Sequence, residues 1–415
     1  MHACPQSQVT SWFVHNDEVM KFGGFYEHQL PRPWTRDSEH TLFQNALDQV
    51  ELSDRVGYDY IWATEHHFLE EYAHSSAPEV FLGACSQRTK TARIGHGIVH
   101  MPPNINHPAR VAERIATLDL VSNGRCDFGI GAGATEAELG GFHVPQEEKK
   151  QMMLEAARQT VEMMVQEPYQ GFEGKYFSMP ARNVQPKPLQ SPHPPLWMAC
   201  SNRTSIAQAA RLGVGALTFS FVGPDQAKQY VDLYYETLEK ECEPLGYAVN
   251  PQIAIACPFL ILKDDEKALA MGAENYGYFI YGLGHYSFFG AHQPAHTDIW
   301  NEYTTNPKEF ANPEGRTQDC VGNPDRVRQQ LREFEAVGID QVVCLSQAGK
   351  IPHEMLCESI ELFGKEVLPE FKDRDQKRAA EKAAQVDRLN NLCMPRRQKV
   401  TLPSEPTIIR AAGHH

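Results

Sequence analysis

Thr64-Glu65-His66-His67-Phe68 follows directly on the short β-rich run 57–63. Of the unperturbed side chains, imidazole changes charge closest to neutral pH, so a histidine pair beside a carboxylate suits proton transfer. α/β barrels carry their chemistry at the C-terminal ends of strands, which makes such groups candidates for catalysis. The plainer alternative is a hydrogen-bonded histidine that only ties the loop down. A second cluster, Ser201-Asn202-Arg203-Thr204, caps another strand and opens a helix over 205–212. Two hydroxyls, a guanidinium and free helix-start N–H groups then make a phosphate cradle. An N-cap by Ser201 or Asn202 would explain the tetrapeptide but gives no role to Arg203. Gly129-Ile130-Gly131-Ala132-Gly133 lets backbone approach a flat or anionic ligand, or marks tight packing, and it lacks the full dinucleotide spacing. Gly95 and Gly97 stand inside a strand, where a ligand ring lying against the backbone would explain them. His96 and His100 share a strand face and, with Glu65, His66 and His67, raise the question of a metal. No H-x-E or H-E-x-x-H spacing accompanies them, so none is expected. No G-x-S-x-G elbow is present either.

What must position these groups is a repeated strand-and-helix unit. β-rich runs at 20–26, 58–63, 92–99, 126–131, 195–200, 215–220, 252–262 and 340–345 alternate with helical patterns such as Leu42, Ala46 and Val50. Eight strands, each followed by a helix, close as a (β/α)8 TIM barrel, with an open doubly wound sheet as the alternative. A Pro- and Gly-rich excursion, 167–195, precedes the fifth strand. Between the seventh and eighth lies an aromatic, glycine-rich stretch, 276–312, too long for an ordinary βα connection and expected to be a lid or partly disordered. Its Tyr276, Tyr278, Phe279, Tyr281, Tyr286, Phe288 and Phe289 face an apolar substrate, or else pack on the barrel or a partner subunit. After Phe371 comes a charged helix to about Asn391 with a solvated face, and 395–415 reads as a disordered tail. The expected division is a barrel over 1–371 and an appendage over 372–415.

A chain of 415 residues, 41% of them hydrophobic, can bury one large core. Its net charge of −14, with no basic stripe to offset it, would repel a phosphate backbone, so no nucleic-acid partner is expected. The N-terminus carries no signal-peptide pattern, no apolar run reaches membrane-spanning length, and the ten cysteines form no C-x-x-C pair. A cytoplasmic protein with reduced thiols and no membrane association is the expectation.

Several segments together resemble the bacterial luciferase-like flavin-dependent monooxygenases. They are Tyr58-Asp59-Tyr60-Ile61-Trp62-Ala63-Thr64-Glu65-His66-His67-Phe68, Ile94-Gly95-His96-Gly97-Ile98-Val99-His100-Met101-Pro102, His107-Pro108-Ala109-Arg110, Ser122-Asn123-Gly124-Arg125 and Phe128-Gly129-Ile130-Gly131. The similarity continues through 195–213 and into Val321-Gly322-Asn323-Pro324-Asp325-Arg326-Val327, and so covers roughly 20–370. The Glu-His-His-Phe run points to the FMN branch more than to deazaflavin enzymes.

The resemblance implies roles by position. His66 assists the flavin chemistry, stabilising a C4a-(hydro)peroxyflavin or moving protons in its formation and collapse, and His67 lines the same pocket. Glu138 stands where the family has an acidic pocket residue, and Gly131 where luciferase has a cysteine near the flavin. Gly97-Ile98 resembles the site of a non-prolyl cis peptide beneath the flavin. Luciferase has a phosphate-binding arginine just after its cysteine, and here that residue is Ala132, a departure from the pattern. A second phosphate arginine corresponds to Lys150, with Lys149 as its neighbour. Arg203, together with Cys200, Ser201 and Thr204, is expected to supply the missing guanidinium. The implied activity is a two-component monooxygenase that takes FMNH2 from a separate NAD(P)H:flavin reductase, reacts with O2, acts on a hydrophobic aldehyde, ketone or similar molecule, and works as a homodimer. A deazaflavin-dependent oxidoreductase on the same barrel is one alternative. A non-catalytic partner subunit is the other; Glu65-His66-His67 argues against it and Ala132 in its favour.

Overall fold

Short apolar runs separated by amphipathic stretches fold as eight parallel strands around a closed barrel: β1 Lys21–Tyr26, β2 Tyr60–Ala63, β3 Arg93–His100, β4 Cys126–Gly131, β5 Leu196–Cys200, β6 Gly215–Thr218, β7 Ile253–Pro258 and β8 Gln341–Leu345. β8 pairs back onto β1, with Lys21 opposite Gln341, which leaves the barrel sheet no open edge. In the computed structural model of the chain, residues 20–219, 222–305, 320–398 and 408–409 are described, without the side chains of 375–379. The helices are α1 Ser38–Val56, α2 Pro78–Arg88, α3 Pro108–Val121, α4 Glu136–Gly141, α5 Lys149–Val165, α6 Arg203–Arg211, α7 Pro224–Glu241, α8 Asp265–Gly284, α9 Ile299–Thr305, α10 Pro324–Ala336, α11 His353–Leu362 and α12 Leu368–Cys393. The expected (β/α)8 architecture is thus the observed one. No helix among the described residues is long and apolar enough to cross a membrane.

Alternation along the strands splits the core into two layers. Phe22, Ile61, Ile94, Phe128, Met198 and Cys200 face the helices. Phe25, Trp62, Trp197, Leu217, Ala254 and Val343 fill the barrel itself. Trp62 stacks on Tyr60 at 5.5 Å and meets Trp197 edge-on at 5.3 Å. The indole Nε1 atoms donate to Gln341 Oε1 and Asp127 Oδ1 at 3.1 and 2.8 Å.

This packing corrects one expectation about the strand glycines. A Cβ on Gly95 would lie 2.3 Å from the Trp62 ring, so Gly95 makes room for an indole and not for a ligand. Gly97 is different, because its Cβ would meet nothing closer than Leu217 at 3.3 Å. Gly95→Ala is therefore expected to cost about 1–3 kcal/mol by overpacking. Urea unfolding checks this, with Gly97→Ala as the milder comparison. The Gly97–Ile98 bond is not cis either: the cis bonds among the described residues all precede proline. Instead β3 shifts register against β4 between His96 and Val99. The bulge brings the His96 carbonyl so close that a Cβ on Gly129 would lie 2.2 Å from it.

Four further segments depart from the expected pattern. The 167–195 excursion contains an antiparallel hairpin, Tyr169–Glu173 against Ser178–Arg182. The run 252–262 leaves the barrel at Pro258, and Leu260–Ile261 then pairs with Val321–Gly322. The stretch 276–312 is not a loop at its start. It begins inside α8, passes through a π-helical turn at His285–Phe289 and reaches α9, while 306–312 lie outside the described residues. Its glycines serve contact, since a Cβ on Gly277 would sit 2.4 Å from the Tyr303 hydroxyl. Finally, α12 lies against the barrel, where Lys372 reaches Asp59, Lys382 reaches Asp340, and Asn390 accepts from Val249 N at 3.0 Å. Leu389 and Cys393 on the same helix are fully buried. Of 395–415, Arg397 bonds Glu162 and the Gly246 carbonyl, and most of the rest lies outside the described residues.

Candidate functional site

The loop leaving β2 carries Glu65, His66 and His67 across the C-terminal mouth of the barrel, pinned where His66 N donates to Ser75 O at 2.9 Å. His66 Nδ1 lies 2.8 Å from Glu138 Oε1. Glu138 is positioned by the capping box of α4: its Oε2 accepts from the Thr135 hydroxyl at 2.8 Å, which leaves Oε1 for the histidine. On the other ring nitrogen, Glu27 Oε1 stands 3.3 Å from His66 Nε2. Burial opposes the imidazolium, but the charges of Glu138 and Glu27 outweigh it and hold the His66 pKa well above its ordinary value. Burial likewise works against ionised Glu138, and the His66 charge overrides it, keeping that carboxyl well below the usual range. Tyr72 meets the His66 ring edge-on at 5.8 Å, and burial and Glu27 push its phenol pKa up.

His67 is held separately. Its Nε2 is 2.9 Å from Glu65 Oε1, and Glu65 also accepts from His100 N at 2.9 Å and Asn106 Nδ2 at 2.8 Å. Burial disfavours the Glu65 anion, yet these donors bring its pKa below the ordinary value. Phe68 follows with φ of +65°, an unusual conformation for a bulky aromatic. Its ring, 55% exposed, packs on Phe142 at 5.2 Å, and Phe142 meets His67 edge-on at 4.9 Å. His96 is in neither close cluster of ligand atoms here, and burial lowers its pKa to about 4 against the charges of Glu79 and Glu65. The even-spacing argument that placed it beside His100 fails because of the bulge between His96 and Val99.

Next around the mouth come β3 to β5. Ile98 fills the space that a side chain at Gly131 would occupy, a Cβ there lying 2.3 Å from Ile98 Cδ1. Asn202, not Ser201, caps α6, and Ser205 Oγ accepts from the Ser201 and Asn202 N–H groups at 3.1 Å. The cap leaves Arg203 and Thr204 at the head of the helix, where their N–H groups have no intrahelical acceptor. The Arg203 guanidinium is exposed, with Gln229 Oε1 at 3.2 Å. The Cys200 thiol turns to the helix layer and sits 3.4 Å from Met198 O, away from these groups. Lys149, half-buried, reaches the loop after β4 with Nζ 3.5 Å from Ala134 O, whereas Lys150 is exposed.

Buried polar atoms without a hydrogen-bond partner gather at these strand ends: Thr64 Oγ1, His100 Nδ1, Thr218 Oγ1 and Gln347 Oε1. Such groups are costly when left unmet, and here they offer polar atoms to whatever enters the mouth. Residues 20–341 match the family described as luciferase-like monooxygenase. The chain belongs to the luciferase-like monooxygenase family. This luciferase-like chain is 26% identical over 372 residues to the oxygenase component of the flavin-dependent trigonelline monooxygenase of Acinetobacter baylyi, covering 85% of this chain and 96% of that one. Among solved structures, the FMN-bound oxygenating constituent of 3,6-diketocamphane monooxygenase from Pseudomonas putida superposes with a TM-score of 0.66 at 20% identity, covering 85% and 98% of the two chains. A coenzyme F420-dependent tetrahydromethanopterin reductase of Methanopyrus kandleri superposes with a TM-score of 0.62 at 21% identity, covering 85% and 99%. Those two likenesses speak for the shared barrel alone. Glu27, which completes the clamp on this luciferase-like enzyme's His66, was not picked out in the sequence; its place immediately after β1 is the signal that finds it.

Proposed function

We propose that this luciferase-like enzyme binds reduced FMN delivered by a separate NAD(P)H:flavin reductase and uses O2 to oxygenate a hydrophobic small molecule such as an aldehyde or ketone. The carrying observation is His66 clamped between the buried carboxylates Glu27 and Glu138 at the barrel mouth, a fixed proton donor at 3.3 and 2.8 Å from them. Reduced FMN supplies the electrons that activate oxygen. The chain supplies the rest. Ser201, Arg203 and Thr204 take the phosphate, with Lys149 or Lys150 adding charge; Gly97, which carries no side chain of its own over β3, lets a flat ring approach the strand backbone; and His66 delivers or removes a proton. Tyr72 and Phe279, in contact at 5.2 Å, help exclude water from the reacting centre. The similarity to a flavin-dependent oxygenase component supports a separate reductase. A cytoplasmic homodimer is the proposed working unit, on the family resemblance.

The fold shared with the coenzyme F420-dependent reductase gives a second reading, in which a deazaflavin takes the same cradle and oxygen is not used. Parallel titrations with FMN and with that deazaflavin, followed by oxygen uptake with photoreduced FMN, separate the two. Tight deazaflavin binding without FMN binding would overturn the FMN assignment. Arg203→Ala is expected to weaken reduced-FMN binding by about tenfold or more, a charge-assisted hydrogen bond to an anion contributing about 1.5–3 kcal/mol. The loss should shrink as salt is raised. Unchanged affinity at physiological salt would remove Arg203 from the cradle.

A further inference from the structure

We propose that Glu65, His67 and His100 form a binding site for a divalent transition-metal ion of the zinc class, distinct from the His66–Glu138 pair. One ligand atom from each of the three residues lies within 4.8 Å of the others, and His67 Nε2 and Glu65 Oε1 are already 2.9 Å apart. Two imidazoles and one carboxylate are the donor set of three-ligand zinc centres that keep a position for water, and of facial-triad sites for other divalent metals. The side chains of His67, Glu65 and His100 are 14%, 6% and 2% exposed, so an ion there would be shielded from bulk water on most sides.

The supporting shell is in place before any ion arrives. Glu65 is fixed through Oε2 by His100 N at 2.9 Å and through Oε1 by Asn106 Nδ2 at 2.8 Å. Asn106 is itself held by the His100 carbonyl at 3.0 Å and by Arg114, which is paired to Glu79. Outer partners of this kind orient metal ligands and tune their affinity. A hydrogen bond between His67 and Glu65 accounts for two members of the group but not the third. His100 Nδ1 is buried and has no hydrogen-bond partner, a cost that an ion bound at that nitrogen relieves.

A neighbouring triad, His66, His100 and Glu138, is the weaker candidate. His100 Nε2 is 3.9 Å from Glu138 Oε1, and both His66 nitrogens already face carboxylates at 2.8 and 3.3 Å. The sequence spacing hid the better site because its ligands come from the β2 loop and the end of β3, which adjacent strands bring together only in the barrel.

The test uses the full chain, stripped with a chelator and titrated without flavin, with Co2+ followed by visible absorption and Zn2+ by calorimetry. One equivalent should bind, and the Co2+ spectrum should show the intense bands of a low-symmetry site with imidazole nitrogen. His67→Ala removes a partly exposed ring and is expected to lower Zn2+ affinity by at least about tenfold, as is Asn106→Ala through loss of the shell. His66→Ala should leave it unchanged. Circular dichroism verifies that each variant is folded. Absence of stoichiometric binding to wild type, or equal affinity in His67→Ala, overturns the site; loss in His66→Ala with retention in His67→Ala assigns the ion to the neighbouring triad instead. No flavin is present, so either outcome leaves the oxygenase reading standing.

Discussion

His66→Ala is expected to lower product formed per reduced FMN consumed by about 10²–10⁴-fold, the usual worth of a positioned general acid or base. Reduced-FMN affinity should change little, because the proposed phosphate cradle is built at the start of α6 and not on the loop that carries His66. The pH dependence carries the stronger test. His66 keeps its proton to a pH well above 6.5 because Glu138 and Glu27 face it, so wild-type product yield should stay level through neutrality. It should fall only as pH rises through that raised value. Glu138→Gln removes a charged partner at 2.8 Å, and the alkaline fall should then move to lower pH. Identical profiles for wild type and Glu138→Gln would sink the assignment of the imidazolium. The same pair fixes the sign of the stability profile. The His66 contribution is complete below its ordinary value of 6.5 and is lost as pH rises through the raised one. The Glu138 contribution is present above its ordinary value of 4.5 and is lost as pH falls through the depressed one. Stability from the pair is therefore greatest between those limits.

The barrel was legible because eight short, almost continuously buried β-rich runs alternate with helical 3.6-period patterns and could be counted. Strand ends were less so: 252–262 gave no sign that Pro258 ends the barrel pairing and that Leu260–Ile261 joins a different sheet. For the site, His66 and His67 were found because a strand end is a local feature, Glu138 through the family resemblance, and the structure brings the three together. Glu27 was missed: its place after β1 marks a strand-end carboxylate, but nothing local ties it to His66, which only the barrel brings within 3.3 Å. The glycines were misread where their reason lay across the barrel, as with Gly95 beneath Trp62. Aromatics in 276–312 were expected to act together, yet Tyr276 and Phe279 join the barrel core, Tyr278 and Tyr281 build the insertion's own, and Phe288 stands 85% exposed. Helical geometry, invisible in a composition-based reading, deals consecutive residues to different faces.

Glu71→Ala is expected to destabilise the enzyme by about 3–5 kcal/mol, the cost of leaving buried charged-group partners unmatched. In sequence Glu71 is one acid of a Glu-Glu pair and would pass for a solvated loop residue. In the fold it is fully buried and gathers three segments. Its carboxylate accepts from Arg32 N at 2.8 Å, Ile299 N at 2.6 Å, Trp300 N at 3.2 Å and the Tyr278 hydroxyl at 3.0 Å. Three of those donors belong to the insertion, while Glu71 itself sits five residues after His66 on the same loop. Glu70 repeats the tie by accepting from Ala295 N at 2.6 Å and pairing with Arg32 at 2.8 Å. The loop that carries His66 is thus also the anchor of the insertion. Loss of Glu71 should accelerate amide exchange at Ile299 and Trp300 and raise hydrogen peroxide release relative to product, because water then reaches the reacting centre. Glu71→Gln keeps a single acceptor oxygen and should fall between the two. Unaltered melting temperature together with unaltered exchange at Ile299 and Trp300 would show that the insertion is held by its aromatic contacts alone, through Tyr278 on Trp300 at 4.8 Å and Tyr281 on Tyr303 at 5.5 Å.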